Sequence, residues 1–313
     1  MATSRRTQRR PAKTFDEQAL DLAWGAWAEL GVSGWESTHG DWAIDPEPLI
    51  LFTSFLGDRD PRLRDEATDW CVRNWRHVSK VRLKNLARRQ SDDDQESFGE
   101  FAATVGAHAG IDWPGATTAR PFTVTGRSTL PPLERPSLVW LRLRAMFGLS
   151  ARTEILRYFL SSDGGRASVA TITRASGYLK RTVADECEFL EQAGVLSSRT
   201  VGNRFYFTLA KASQLEEFVG DMPAVRPDWT AMFNVARELV TVEERMGTAT
   251  LRTAGVKARS ALRRIEDDLE DLDIDEPSAD LTGADIWPAL QSLGNDTLGA
   301  WSIGQRATPP VNK

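Results

Sequence analysis

The feature that most constrains the fold of this chain is a run of short periodic segments between residues 150 and 209. Three stretches carry apolar residues at three- and four-residue spacings, and a glycine follows each of them, at Gly164, Gly177 and Gly194. Two β-prone stretches come next, separated by Gly202-Asn203, a dipeptide typical of hairpin turns. This order predicts a helix-turn-helix followed by a β wing, within residues 142–212.

The apolar spacing sets the bounds of each predicted element. We predict helices over residues 150–161, 168–176 and 179–193, and strands over 195–201 and 204–209. Ser150 can cap the first helix. In the third helix, Val183, Cys187 and Leu190 recur at spacings of four and three, so they are expected to face the core.

The third helix is the element expected to contact DNA. In a helix-turn-helix, this helix enters the major groove by its N-terminal end, where backbone N–H groups add partial positive charge. The wing tip commonly follows the phosphate backbone. The predicted DNA-binding residues are therefore Lys180, Arg181, Thr182, Arg199, Asn203 and Arg204.

Local charge supports this prediction although the chain as a whole is acidic. The 313 residues carry a formal net charge of −5. Residues 142–211 hold 11 basic and 6 acidic residues, a local balance of +5. A segment that binds phosphate needs such a local surplus, because the acidic total would otherwise repel nucleic acid.

The stretch from Thr182 to Leu196 resembles the recognition helix of ArsR- and MarR-like winged-helix regulators. Those families show Thr-Val, a hydrophobic residue four positions on, then Leu, and Ala-Gly-Val or Ala-Gly-Leu at the entry to the wing. Residues 201–204 and Tyr206 resemble their wing. The resemblance implies a DNA-binding regulator over about a fifth of the chain. Leu179 departs from the pattern, because these regulators often have Ser before the recognition helix.

A second interpretation of the same segment stays open. Winged helices bind proteins as well as DNA, and the third helix carries Asp185, Glu186 and Glu188. An acidic helix face is compatible with a protein partner, so the residues alone do not exclude this use.

The flanking regions predict a mainly α protein. We divide the chain into a disordered basic arm (1–14), a helical N-terminal domain (15–112), a linker (113–141), the winged helix (142–212), a helical C-terminal segment (213–303) and a tail (304–313). The arm is either a solvated tail or a segment that lies on phosphates. N-terminal helices are predicted near residues 15–30, 49–56, 63–75, 78–86 and 98–109. In the fourth, Val81 should face inward, and Arg82, Lys84, Arg88 and Arg89 outward.

No pattern in the chain predicts catalysis, a metal or a cofactor. The three histidines lie far apart, and no P-loop, dinucleotide-binding turn or nucleophile elbow occurs. The acidic residues between positions 267 and 276 lack the glycine of a calcium loop and are interpreted as a solvated helix end. Cys71 and Cys187 are expected to be buried thiols, since two cysteines make no disulfide framework.

Two hypotheses of function follow. In the first, the chain is a cytoplasmic transcriptional regulator, in the sense of a repressor, that binds double-stranded DNA as a homodimer without contact to a membrane. In the second, it is an interaction protein, such as an autorepressing antitoxin, whose Trp-rich N-terminal domain holds a toxin or effector protein.

The homodimer is expected to associate outside residues 142–210. Large apolar side chains such as those of Trp24, Trp70 and Trp229 exceed what small helical domains bury on their own. The alternative is that the N- and C-terminal helices cover these side chains within one chain.

Overall fold

The computed structural model describes residues 13–307 except 163–164, 203, 248–249 and 279, and only the backbone of Arg204, Leu251, Arg252 and Ala284. The N-terminal helices are α1 (Phe15–Glu29), α2 (Pro46–Leu56), α3 (Pro61–Asn74), α4 (Lys80–Ala87) and α5 (Asp92–Ala109). The central elements are α6 (Val139–Phe147), α7 (Ala151–Ser161), β1 (Ala167–Ser168), α8 (Val169–Ser176), α9 (Lys180–Gln192), β2 (Leu196–Val201), β3 (Arg204–Leu209) and α10 (Ala212–Val219). The C-terminal helices are α11 (Trp229–Met246), α12 (Leu251–Asp271) and α13 (Ile286–Ser302).

The prediction of a mainly α fold with a small β wing is confirmed. The predicted arm lies outside the described residues up to position 12, and the tail beyond position 307. Lys13 and Thr14 belong to the start of α1, where Thr14 and Glu17 form a reciprocal capping box. No helix in the described part is long and apolar enough to cross a membrane.

The N- and C-terminal helices share one hydrophobic core. Helix α1 packs against α11 and α13, and α2 packs against α11. The approach of α1 to α13 is close, because a Cβ at Gly294 would lie 2.4 Å from Cζ of Phe15. These two regions therefore form a single helical body, although the winged helix separates them in the sequence.

The helical spacing of the N-terminal tryptophans predicts packing rather than a ligand site. Trp24, Trp27, Trp70 and Trp229 are all buried. Their indole N–H groups find partners: that of Trp27 donates to Oγ1 of Thr53 at 2.8 Å, and that of Trp70 to the carbonyl of residue 30 at 2.7 Å. Because these side chains are covered within one chain, they give no reason for dimerisation.

The predicted linker follows the surface of the helical body and is fastened to it. Residues 116–132 form no regular element. The backbone N–H groups of Thr125 and Gly126 donate to Oδ1 of Asp69 at 2.7 and 2.9 Å, and that of Thr129 donates to the carbonyl of Gly31 at 3.1 Å. The connection to the winged helix is therefore anchored along its length.

Three details of the flanks differ from the sequence predictions. Helix α5 begins at Asp92, six residues earlier than predicted, because Ser91 caps it and the acidic residues 92–94 suit the positive end of the helix dipole. The sequence predicts a short helix over residues 284–293, whereas α13 begins at Ile286 and continues to Ser302. The prediction for α4 was wrong at two positions: Val81 is exposed and Arg82 is buried.

The winged helix has the predicted order of elements and one strand that the sequence did not indicate. Ser150 caps α7 and Ser168 caps α8. Strands β2 and β3 form the antiparallel hairpin, and the short β1 pairs with β3, so the strand order is β1-β3-β2. Helices α7, α8 and α9 pack together over this sheet around a second core. The prediction of a winged helix is confirmed.

Three arginines and three carboxylates lie buried where the winged helix meets the helical body. The group consists of Asp45, Glu47 and Arg82 from the body and Arg144, Glu154 and Arg157 from α6 and α7, and we call it the buried ionic cluster. Their side chains are at most 9% exposed.

The contacts of the buried ionic cluster run across the boundary in both directions. Arg82 binds both oxygens of Asp45 at 2.6 Å. Arg144 binds both oxygens of Glu47 at 2.9 and 2.7 Å and also donates to Glu154 at 2.9 Å. Arg157 donates to Glu154 at 2.7 Å and reaches Asp45 at 3.2 Å. Such paired geometry is needed to offset the cost of removing six charges from water.

The charges of the cluster balance only when the two parts are together. The body contributes two carboxylates and one arginine, and α6 and α7 contribute two arginines and one carboxylate. Burial alone would raise the pKa of Asp45 and of Glu154, but the neighbouring arginines hold both below their ordinary values. Separating the parts would leave each with an uncompensated charge, so the cluster fixes how they sit against each other.

We predict that Arg144→Met lowers the free energy of unfolding by about 3–5 kcal/mol, because Glu47 and Glu154 then stay buried without their main partner. The control is Arg152→Met, which removes the ion pair between Arg152 and Glu186. The side chain of Arg152 is 52% exposed and that of Glu186 is 24% exposed, so this variant should lose less than about 1 kcal/mol of the free energy of unfolding. Urea unfolding of both variants measures the difference. Equal losses would contradict the role given to the cluster.

Candidate nucleic-acid interface

Helix α9 is held in place by its predicted inner face. Val183, Cys187 and Leu190 are buried against α7 and α8. Burial raises the pKa of the Cys187 thiol to about 12, which suits a packing role rather than a reactive one. The turn before α9 depends on Gly177, whose φ of +71° is unfavourable for other residues and whose Cβ would meet Cγ of Arg82 at 2.9 Å.

The N-terminal end of α9 is an exposed basic surface. Lys180, Arg181 and Thr182 form its first turn, and all three are exposed. Within the described part of the chain, neither Lys180 nor Arg181 pairs with another side chain. Both charges are therefore available to an external anion.

Leu179 leaves the N-terminal end of α9 without a side-chain cap. It occupies the N-cap position, forms no side-chain cap and is 66% exposed. The first backbone N–H groups of a helix have no partner within the helix, and a serine at this position would bind one of them. The departure from the regulator pattern thus leaves N–H groups beside Lys180 and Arg181 that can donate to phosphate.

The wing contributes one described candidate residue. Arg199 is exposed on β2, opposite Tyr206 in the hairpin. Asn203 and the side chain of Arg204 lie outside the described residues. Alternation along β3 predicts that Phe205 and Phe207 share the inner face of the hairpin. Phe207 is buried, but Phe205 is 62% exposed because it lies beyond the edge of the core. Phe205 pairs with Thr200, so Arg199 lies on the other face of the hairpin, with Tyr206.

The exposed face of α9 beyond its first turn carries negative charge and no positive charge. Asp185 and Glu188 follow Arg181 at four and seven residues, which places the three on one side of the helix, and all are exposed. Glu186 is engaged by Arg152 of α7 at 2.8 Å. Positive charge is therefore concentrated in the first turn, so this helix can meet phosphate with its end but not along its length.

The local surplus of basic residues is smaller on the surface than in the sequence. Arg144 and Arg157 belong to the buried ionic cluster, and Arg174 lies 3.4 Å from Asp271 of α12. Within residues 142–211, the described basic residues that remain exposed and unpaired are Arg166, Lys180, Arg181, Arg199 and Lys211. Two of these five, Lys180 and Arg181, lie together at the start of α9.

The helical body holds the turn that precedes α9. Nε of Arg82 donates to the carbonyl of Ser176 at 3.1 Å, and Nδ2 of Asn85 donates to the carbonyl of Gly177 at 2.9 Å. The hydroxyls of Ser79 and Tyr178 are 3.0 Å apart. Sequence reasoning missed this contact. The one indication of this contact in the sequence is an arginine, at position 82, between apolar residues of a short helix.

These elements define the protein as one that contains a winged helix with an exposed basic end. Comparison with family models, with curated proteins and with solved structures finds no match to the chain. Among the described residues, no group of three or more His, Cys, Asp or Glu is placed to hold a metal ion.

We predict that Leu179→Ser raises the free energy of unfolding by about 1 kcal/mol relative to Leu179→Ala. Both changes remove the same exposed apolar side chain, but only serine can accept a hydrogen bond from the first turn of α9. The difference between the two variants in urea unfolding measures the contribution of the N-cap hydrogen bond to the free energy of unfolding. If the two were equally stable, the N–H groups of this turn would already have partners.

Proposed function

We propose that this protein is a sequence-specific regulator of transcription that binds double-stranded DNA through its winged helix. The observation that carries the proposal is the first turn of α9, where Lys180 and Arg181 stand exposed and unpaired beside uncapped backbone N–H groups. Such a turn matches the end-on entry of a recognition helix into the major groove. The proposal assigns no chemical step and no cofactor to the chain.

In this account, the first turn of α9 contacts base edges and Arg199 contacts phosphate. Base contacts supply sequence preference, whereas phosphate contacts supply affinity and register. A single module covers few base pairs, so we propose a homodimer on two half-sites. A cytoplasmic protein bound in this way at a promoter would exclude polymerase, which is the basis for proposing a repressor.

A second candidate function is protein binding, as in an antitoxin. The acidic pair Asp185 and Glu188 on α9 favours it, and so does an apolar surface formed by α6 and α10. On that surface the rings of Phe147 and Phe218 lie 6.2 Å apart, and both are exposed. The buried tryptophans of the body do not supply such a surface. A stoichiometric partner that co-purifies with the full-length chain would support this candidate.

We predict that Lys180→Ala with Arg181→Ala abolishes specific DNA binding and leaves the fold intact. Both side chains are exposed, so no core contact is lost, and each base-directed contact is worth about 1–3 kcal/mol. The probe is a duplex selected from a random pool by the wild-type protein. Fluorescence anisotropy at fixed salt measures affinity, and thermal unfolding checks the fold.

The matched control is Arg127→Ala with Arg263→Ala, which removes the same charge from exposed positions on the linker and on α12. Its affinity for the selected duplex should be close to that of the wild type. A selected duplex that binds the Lys180 and Arg181 double variant normally would rule out this site. Failure of the wild type to select any duplex would contradict the proposed function.

We predict that Arg199→Ala weakens binding to all sequences by a similar factor. An exposed wing arginine meets phosphate, which carries no base information. Loss of one phosphate contact should flatten the slope of log affinity against log salt by about 1. Titrations of selected and unrelated duplexes at several salt concentrations provide the test. A changed sequence preference with an unchanged slope would show that the wing contacts bases instead.

A further inference from the structure

Helix α4 of the helical body lies directly against the turn that leads into α9. One side of α4 is used for this contact: Arg82 and Asn85 donate to the turn, and Leu86 lies against Gly177. Leu83 and Ala87 are buried in the core of the body. Two sides of α4 are thus occupied, and the third faces outward.

The outward side of α4 carries positive charge and no negative charge. Lys80, Val81, Lys84 and Arg88 are all exposed. Nζ of Lys80 donates to the carbonyl of residue 112 at 3.3 Å, but the side chains of Lys84 and Arg88 form no hydrogen bond or ion pair with any described residue. No acidic residue occurs between positions 80 and 89, and the first ones, at 92 and 93, begin the next helix.

Helix α4 is close to the predicted point of entry into DNA, because it contacts the turn that precedes α9. The carbonyl of Gly177 accepts a hydrogen bond from Asn85, and Gly177 lies three residues before Lys180. Because consecutive Cα atoms are about 3.8 Å apart, the Cα atoms of Gly177 and Lys180 are separated by at most about 11 Å. The major groove is about 12 Å wide. The phosphates that flank a groove occupied by α9 are therefore within reach of a neighbouring helix with long basic side chains.

We propose that the outward side of α4 is a second DNA-binding surface, on which Lys84 and Arg88 contact phosphates beside the site of α9. This inference rests on the proposed function and extends the interface from the winged helix to the helical body. Because the buried ionic cluster fixes α4 against the turn, the two surfaces meet DNA as one rigid unit. The contacts are to phosphate, so they add affinity and leave base preference unchanged.

The test compares Lys84→Ala with Arg88→Ala against the control Arg127→Ala with Arg263→Ala, which removes the same charge elsewhere. The probes are the duplex selected by the wild-type protein, at its minimal length, and the same duplex lengthened at both ends. For the lengthened duplex, the double variant should bind several-fold more weakly than the wild type. Its slope of log affinity against log salt should be flatter by about 2, from two lost phosphate contacts.

The outcomes separate this inference from the proposed function. The variant should select the same sequence motif as the wild type, and the control should behave as the wild type. If the wild type needs Lys180 and Arg181 but the α4 variant and the control bind the lengthened duplex equally, the second surface is overturned and the proposed function stands. If the wild type selects no duplex, both are overturned.

Discussion

The buried ionic cluster is the interaction on which the arrangement of this protein depends. Six charged side chains are withdrawn from water at the meeting of the helical body with α6 and α7, and their charges cancel only across that boundary. Hydrophobic contact alone would allow the two parts to slide, since it has no direction. Paired guanidinium and carboxylate groups impose distances and angles, so they select one docking geometry.

That geometry has a direct consequence for the proposed DNA interface. Arg82 belongs to the cluster and also donates to the carbonyl at the end of α8. The turn before α9 is therefore connected to the same network that joins the two parts. The helical body therefore supports α9 from one side, and the linker, which is anchored to the body through Thr125, Gly126 and Thr129, supports the same arrangement.

The parts of the fold that depend on local pattern could be predicted from the sequence. Apolar spacing, capping serines and glycines located α7, α8, α9 and the hairpin, because neighbouring residues determine these features. The same approach failed for Arg82, which a helical pattern places outside because a charged residue is rarely buried. Its burial depends on Asp45 and Glu154, which are far away in the sequence. The candidate site was predicted in α9, but the contribution of α4 requires knowledge of that long-range packing.

The central claim is that the winged helix binds specific DNA through the first turn of α9. Genome-wide mapping of DNA bound to the full-length protein, in parallel with the variant Lys180→Ala with Arg181→Ala, tests it most directly. The account predicts discrete enriched sites that share one motif in the wild type and are absent in the variant. Enrichment equal to that of an untagged control, together with a co-purified protein in equal amount, would contradict it.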